Sequence, residues 1–435
     1  MSNNSKLNFL IFVIFALFLL TYFSFTYYHD DFIFLFKGLS NYNEIKSIFS
    51  LDVILQDRYL HEILMLRHFQ IIGDNLVIYN LIKIFHIIIL TSLLSKLCKV
   101  ALEKNHKYIN YISFLLLVSP FLLGTTFWQT NLTWLFLINL HFAILILFIR
   151  YPNLYLLIFF LFINHIVSIN LQFLIFNYII AFLFLKKLTY KISFKKYYTI
   201  IIFNIIQILF SFYVILKTTE KDTFALQGDS FSYVIKSLIN NLAFIIYDFF
   251  QLFSFFSLII VPGIFYLLIK NLKHFDKNTL YPLVGILLNF ILFTFVFYDF
   301  RLQGIEARVS FLVGFYIHFL IIILFDKINE NIKVIAIYVI FFIYLIGYTN
   351  HYLVFAKLKN KQNNLVEYLL TLNPDKFVNK IINVSNTTFD TKEKIKYFLF
   401  TKTNNPQWLK AEFQLYNEAH SREGIKYRIL NYISK

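Results

Sequence analysis

Two neighbouring carboxylates beside an imidazole, in the run Tyr28-His29-Asp30-Asp31-Phe32, follow directly on an uncharged stretch from Phe9 to Tyr28. Ending an apolar helix does not require such a pair. At the edge of a low-dielectric region, two adjacent acids in unequal surroundings can hold different protonation states, which suits one of them to take a proton from a hydroxyl. The competing reading is that Asp30 and Asp31 solvate one helix end and cap the next. Arginine placement supplies a second set of residues. Lys and Arg together number 40, and only seven of them are Arg. Four of these, Arg58, Arg67, Arg301 and Arg308, fall in two stretches between apolar runs. A guanidinium grips phosphate at two points, which an ammonium cannot imitate. Arg58, His61 and Glu62 lie three or four positions apart, so a helix puts them on one face. The loop from Tyr298 to Arg308 holds Asp299, Arg301, Glu306 and Arg308, and charge at a membrane boundary is by default a functional-site hypothesis. A salt bridge across that loop, or anchoring of the arginines to lipid phosphates, explains the same residues without chemistry.

The elements that must position these residues are apolar helices. The chain has 435 residues, 59% hydrophobic and 15% charged, with mean hydropathy +0.65, whereas a soluble domain carries about 25% charged residues. That excludes a soluble enzyme. Apolar runs separated by charged links predict an all-α, polytopic transmembrane protein of about eleven spans: 8–28, 72–96, 108–126, 132–149, 154–168, 171–185, 197–216, 241–269, 280–298, 309–325 and 334–350. The first run follows a lysine, as a signal peptide would. It is too long and lacks a small-residue cleavage site, so it reads as a signal anchor and the first span.

The net charge of +16 would suggest nucleic acid in a soluble protein, but here the lysines cluster in short links between spans. Those links, Lys99/Lys104/Lys107, Arg150, Lys186 to Lys196, Lys270/Lys273/Lys277 and Lys327/Lys333, fall on alternate sides of the ladder and so mark the cytoplasmic face. The other face then presents residues 29–71, 217–240, 299–308 and the tail 351–435. Residues 50–72 have a helical spacing of apolar side chains and read as an amphipathic helix lying at the outer interface. Residues 154–185 admit either two short spans or a re-entrant hairpin around Asn164, His165, Ser168, Asn170 and Gln172. The chain thus divides into a membrane domain, 1–350, and a small, mainly helical outer region, 351–435.

Other chemistry finds little support. One cysteine, Cys98, excludes an intrachain disulfide and a Cys-based metal site, and ten glycines leave no P-loop or other phosphate cradle. His86, His141, His165 and His318 lie in or beside apolar spans, where a lone histidine is more often a packing residue than a ligand.

A carboxylate pair after the first span, an interfacial helix in a long first outer loop, about eleven spans and an arginine-bearing later loop together resemble the GT-C superfamily of integral membrane glycosyltransferases. The resemblance covers the architecture of the whole chain, while its motifs are confined to about residues 28–70 and 298–310. It implies transfer of a sugar from a polyprenyl-phosphate donor to a glycan or lipid-linked acceptor, on the outer face of a bacterial inner membrane. It also implies Asp30 or Asp31 as base or acceptor-positioning group, and Arg301 or Arg308 at the donor phosphate. His29, Arg58, His61, Arg67 and Glu306 are the further substrate-binding candidates. The sequence departs in having Asp-Asp where Asp-Glu or Asp-x-Glu is frequent, and it lacks a Trp-Trp-Asp motif, which disfavours a protein-glycosylating oligosaccharyltransferase. No cofactor is required, a divalent metal being the open alternative; the partners are donor, acceptor and membrane lipids, with no nucleic acid. The rival expectations are an O-antigen or capsule polymerase and a lipid-linked sugar flippase or transporter.

Topology is testable directly. A cysteine introduced at Ser230 or Ser385 should react with an impermeant thiol reagent in intact cells, and one at Ser193 should not. The reverse pattern would place every candidate residue on the wrong face.

Overall fold

A computed structural model describes residues 3–23, 31, 35, 59–102, 107–126, 132–150, 231–260, 262, 302, 311–326, 330–371, 381–385, 392–403 and 405–416. These are mostly helical: α1 (Asn3–Phe23), α2 (Tyr59–Ile72), α3 (Leu76–Leu102), α4 (Lys107–Phe114), α5 (Pro120–Thr126), α6 (Leu132–Arg150), α7 (Phe231–Phe253), α8 (Phe311–Asp326) and α9 (Glu330–Thr371). After β1 (Ile381–Ser385) come α10 (Lys392–Thr403), α11 (Gln407–Lys410) and β2 (Glu412–Tyr416). Among the described residues, four stretches are long and apolar enough to cross a membrane: Ser5–Tyr22, Leu76–Lys99, Leu238–Ile260 and Ile332–Leu369. The spans expected at 154–168, 171–185, 197–216 and 280–298 lie outside the described residues.

These helices are apolar on both faces. In α1 the stripe Leu7, Leu10, Ile14, Phe18 and Tyr22 is buried, while Phe9, Phe12 and Leu20 stand exposed. The stripe recurs every three or four residues, which carries it along one face. An exposed face as greasy as the buried one suits a helix solvated by acyl chains.

Hydrogen bonds donated by side chains show how α1, α3, α4, α5 and α9 run relative to one another. Tyr338 on α9 donates to the Lys6 carbonyl at 3.0 Å, and Tyr348 lies beside Thr21, so α1 and α9 run parallel. Ser95 donates to Asn110 at 2.7 Å and Lys83 to the Thr126 carbonyl at 2.7 Å, so α3 runs against α4 and α5. Tyr111 donates to Asn8 at 3.1 Å, which puts the start of α4 beside the start of α1. Lys333 lies over the rings of Tyr108 and Phe325. The end of α3 and the starts of α4 and α9 therefore share one end of the bundle with the start of α1. The opposite end gathers the last turn of α1, the first of α3, Thr126 and the start of α6.

Two neighbours of α9 are broken, and α9 repairs both. Pro120, which has no N–H to donate, follows a 3₁₀ turn at Leu115–Val118; His351 donates its Nδ1 proton to the Pro120 carbonyl at 2.7 Å. Beyond α7, where Ser254 adopts φ 50°, Asn350 donates to the Leu252 carbonyl at 2.7 Å. Carbonyls freed within an apolar helix bundle need a partner, because apolar surroundings supply none.

At 42 residues, α9 is about 63 Å long, twice the roughly 30 Å of a hydrocarbon core. Phe341, Tyr348, Phe355, Gln362 and Leu369 recur at intervals of seven and all are buried, so one face stays against protein along most of the helix. The boundary expected at residue 350 lies within this continuous helix. Beyond it, Leu369 packs in one cluster with Ile395, Phe398, Leu399 and Trp408, together with Leu35, Phe69, Tyr79 and Leu132 from the same end of the bundle. The C-terminal region also contains two short parallel strands, β1 and β2, paired from Ile381 with Glu412 to Ser385 with Tyr416. The all-helical expectation did not include them; joining parallel strands takes a long crossover, which α10 and α11 supply.

Close helix approach generates a stability prediction. A Cβ at Gly314 would overlap the Cβ of Phe121, which lies next to the backbone and cannot swing away, whereas one at Gly347 meets the outer atoms of the Phe253 and Pro120 rings. Gly314→Ala should cost about 1–3 kcal/mol despite the better helix propensity of Ala. Gly347→Ala should cost less, and thermal unfolding in detergent measures both.

Candidate functional site

Asp31 and Lys83 are electrostatic neighbours at the end of the bundle where α1 finishes and α3 begins. Lys83 follows the start of α3 by about two turns, and its ammonium donates to the Thr126 carbonyl at the C-terminus of α5. Both side chains are 0% exposed, and Asp31 is the electrostatic partner of Lys83. A helix C-terminus carries partial negative charge, so Thr126 and Asp31 both favour the ammonium. Around them stand Tyr22, beside Thr126 and Tyr348, and then Tyr348 itself beside Thr21.

A second polar row lies on α2, α3 and α6. Gly73, at φ 65°, ends α2 in the left-handed conformation that glycine adopts without strain, and its N–H bonds the Phe69 carbonyl at 3.0 Å. Asn75 then caps α3 by accepting from the Ile78 N–H at 3.2 Å. Tyr79 donates to the carbonyls of His68 and Gly73, both at 3.3 Å, and so ties the two helices. His68 Nδ1 lies 3.0 Å from the Thr133 hydroxyl, and Asn139 donates to the His86 carbonyl at 2.8 Å.

The third element is the stretch around Leu302. Its N–H donates to the fully buried carboxylate of Asp248 at 2.8 Å, and its side chain packs with Phe121, Leu252 and Phe253. Leu302 immediately follows Arg301 in sequence. The short helix α5 is thus common ground: Thr126 receives Lys83, and Phe121 packs against Leu302.

Of the residues expected from sequence, Asp31 is buried in this centre. Arg67 is not; it is exposed and donates to Gln70 at 2.9 Å along its own helix. His61 belongs to α2, with its side chain outside the described residues, as are His29, Asp30, Arg58, Arg301, Glu306 and Arg308. The sequence reading passed over Lys83 and Thr126 as parts of the site. The signal for Lys83 was present, since an ionisable residue within an apolar span is expensive and by default functional. Thr126 offers only its carbonyl, which no side-chain pattern reveals. Among the described residues, no three His, Cys, Asp or Glu side chains cluster as metal ligands would.

The described residues define a mainly helical membrane protein with several helices long and apolar enough to span, and with buried Asp31 and Lys83 coupled electrostatically at one end of the bundle. Comparison with protein families, curated proteins and solved structures finds no match for the chain.

Burial holds the His68 imidazole below its ordinary range, so the folded protein keeps it neutral. As pH falls, the unfolded chain takes up this proton first. The His68 contribution to stability is therefore complete above about pH 6.5 and is lost as pH drops from there toward the depressed folded value. The unfolding midpoint should fall on acidification through that window, and His68→Gln should flatten the dependence.

Proposed function

We propose that the chain is an integral membrane glycosyltransferase of about eleven spans, with the N-terminus cytoplasmic and the site on the outer face of a bacterial inner membrane. It transfers a sugar from a polyprenyl-phosphate donor to a glycan or lipid-linked acceptor. The observation that carries this reading is the seating of Asp31, from the first outer loop, and Leu302, next to Arg301, on the same short helix α5 through Lys83–Thr126 and Phe121. Asp31 and the backbone that directly follows Arg301 are thereby tied to one short helix.

The chemistry needs little more. The donor's phosphate ester is already an activated leaving group. A carboxylate of the Asp30–Asp31 pair accepts the proton of the acceptor hydroxyl as its oxygen bonds to the anomeric carbon. The bond from that carbon to the phosphate oxygen breaks, and the electron pair leaves with the lipid phosphate. Arg301 or Arg308, with Arg58 or His61, neutralises the departing charge, while His29 and Glu306 contact the sugar or acceptor. A single displacement inverts the configuration.

A second reading, a lipid-linked sugar transporter, draws on the burial of Asp31, Lys83 and Asp248, because charge inside a span suits a translocation path. Polymerisation of whole repeat units is the third; it would make the arginines more critical than the aspartates.

Transfer from purified polyprenyl-phosphate sugars, normalised to folded protein, separates these readings. Asp→Asn at the base should cost about 100-fold or more in turnover. Arg301→Ala or Arg308→Ala should cost about 10- to 150-fold, the equivalent of roughly 1.5–3 kcal/mol for a charge-assisted contact, and Arg→Lys should recover only part. Full activity in both Arg→Lys variants would reduce the loop to a lipid anchor. Movement of an intact lipid-linked sugar across the membrane without transfer would favour the transporter.

A further inference from the structure

Helix α7 differs from edge to edge. Along one side Ile235, Ile239, Leu242, Ile246 and Phe250 recur every three or four residues and stand exposed, as side chains facing lipid do. The opposite side is buried and carries Asn241, Phe244, Asp248 and Leu252. Between these sides run two edges. On the first, Leu238, Ile245 and Phe249 are apolar and half-buried, and the last two pack with Phe121, Leu252, Phe253 and Leu302, which closes that edge. On the second, Asn240, Tyr247 and Gln251 lie seven and then four residues apart, so they form one row. All three are half-exposed, and Gln251 donates to the Tyr247 hydroxyl at 3.4 Å.

Two amides and a phenol next to acyl chains are costly, because lipid offers them no hydrogen bond. Water or a bound polar group beside the row removes that cost. An amide or a phenolic hydroxyl both donates and accepts, and so does each hydroxyl of a sugar, whereas the oxygens of an ionised phosphate only accept. Directly beside the row lies the exposed apolar stripe. A ligand that suits both is an amphiphile with a hydroxyl-rich head and a hydrocarbon tail. The far side of the helix is held in place, since Asp248 accepts from the Leu302 N–H at 2.8 Å.

We propose that the row Asn240, Tyr247 and Gln251 binds the sugar hydroxyls of the lipid-linked donor, while the neighbouring stripe at Ile239 and Ile246 borders its hydrocarbon chain. Helix α7 is then one post of a sideways opening from the bilayer to the site. The identity of the ligand rests on the transferase reading.

Cysteine labelling of the full chain in lipid nanodiscs tests this. The native Cys98 is fully buried and should stay silent. Asn240→Cys and Gln251→Cys should react with a membrane-impermeant maleimide, and Ile239→Cys and Ile246→Cys should not. The probes are synthetic polyprenyl-phosphate hexoses and pentoses, with sugar-free polyprenyl phosphate as the control. At least one sugar-bearing lipid should slow labelling at 240 and 251 about fivefold or more, and the control should not. With that lipid as donor, the double variant Asn240→Leu/Gln251→Leu should raise KM by about 5- to 150-fold, the loss of two neutral hydrogen bonds, with little change in kcat. Leucine is at home against acyl chains, so this variant should fold; thermal unfolding checks it, and the labelling decides by itself where it does not.

The proposal is overturned if Asn240→Cys and Gln251→Cys fail to label, if no sugar-bearing lipid slows them, or if the sugar-free lipid slows them equally. An unchanged donor KM in the folded double variant overturns it too. Protection by a sugar-bearing lipid that the wild-type protein never uses for transfer would leave the binding row standing and remove the transferase reading. Transfer without protection would do the reverse.

Discussion

A lysine within an apolar helix has to be paired, and the arrangement at one end of this bundle follows from that requirement. Isolated in a low-dielectric medium, the ammonium of Lys83 would cost several kcal/mol. The chain meets the cost with two groups from distant parts of the sequence: the Thr126 carbonyl accepts from the ammonium, and the Asp31 carboxylate favours it electrostatically. Satisfying one charge therefore draws the loop after α1, the body of α3 and the end of α5 to a single point. Asp248 works in the same way on the Leu302 N–H, drawing a third segment toward the other part of α5.

The same physics governs the uncharged backbone. Breaks at Pro120 and beyond Leu252 release carbonyls where no water competes, and neighbouring residues of α9, Asn350 and His351, supply the protons. Gly347 lies one turn earlier on that helix, where the absence of a Cβ lets Pro120 and Phe253 approach. Irregular backbone, close packing and a buried polar centre thus concentrate around α5 and α9. Helices with unbroken ladders, such as α1, need only an apolar stripe.

Much of the architecture was legible because lipid imposes a simple code. Uncharged runs longer than a bilayer's thickness mark spans, and lysine-bearing links mark one face. Hydrogen bonds that give α1, α3, α4 and α9 their relative directions put the end of α3 and the starts of α4 and α9 at one end of the bundle. The code weakens where the chain leaves the hydrocarbon. At residue 350 the apolar run ends, yet α9 continues to Thr371, since a seven-residue spacing of buried side chains sustains a helix among lysines and asparagines. The pairing of β1 with β2 was equally hidden, because the two segments are separated by α10 and α11 and parallel pairing is a non-local choice.

For the candidate centre, sequence alone determined which charges flank apolar runs: the Asp30–Asp31 pair and the arginines at 58, 67, 301 and 308. Residue type and local spacing suffice for that, because water and lipid sort them by polarity. Tertiary structure decided the company that the described residues keep. Arg67 turned outward to Gln70, while Asp31 and Lys83 became fully buried partners despite their separation in the chain. Burial and counter-ion depend on which helices pack together, and the Thr126 acceptor is a backbone carbonyl that every residue possesses. Only the packed bundle selects the one carbonyl that meets the lysine.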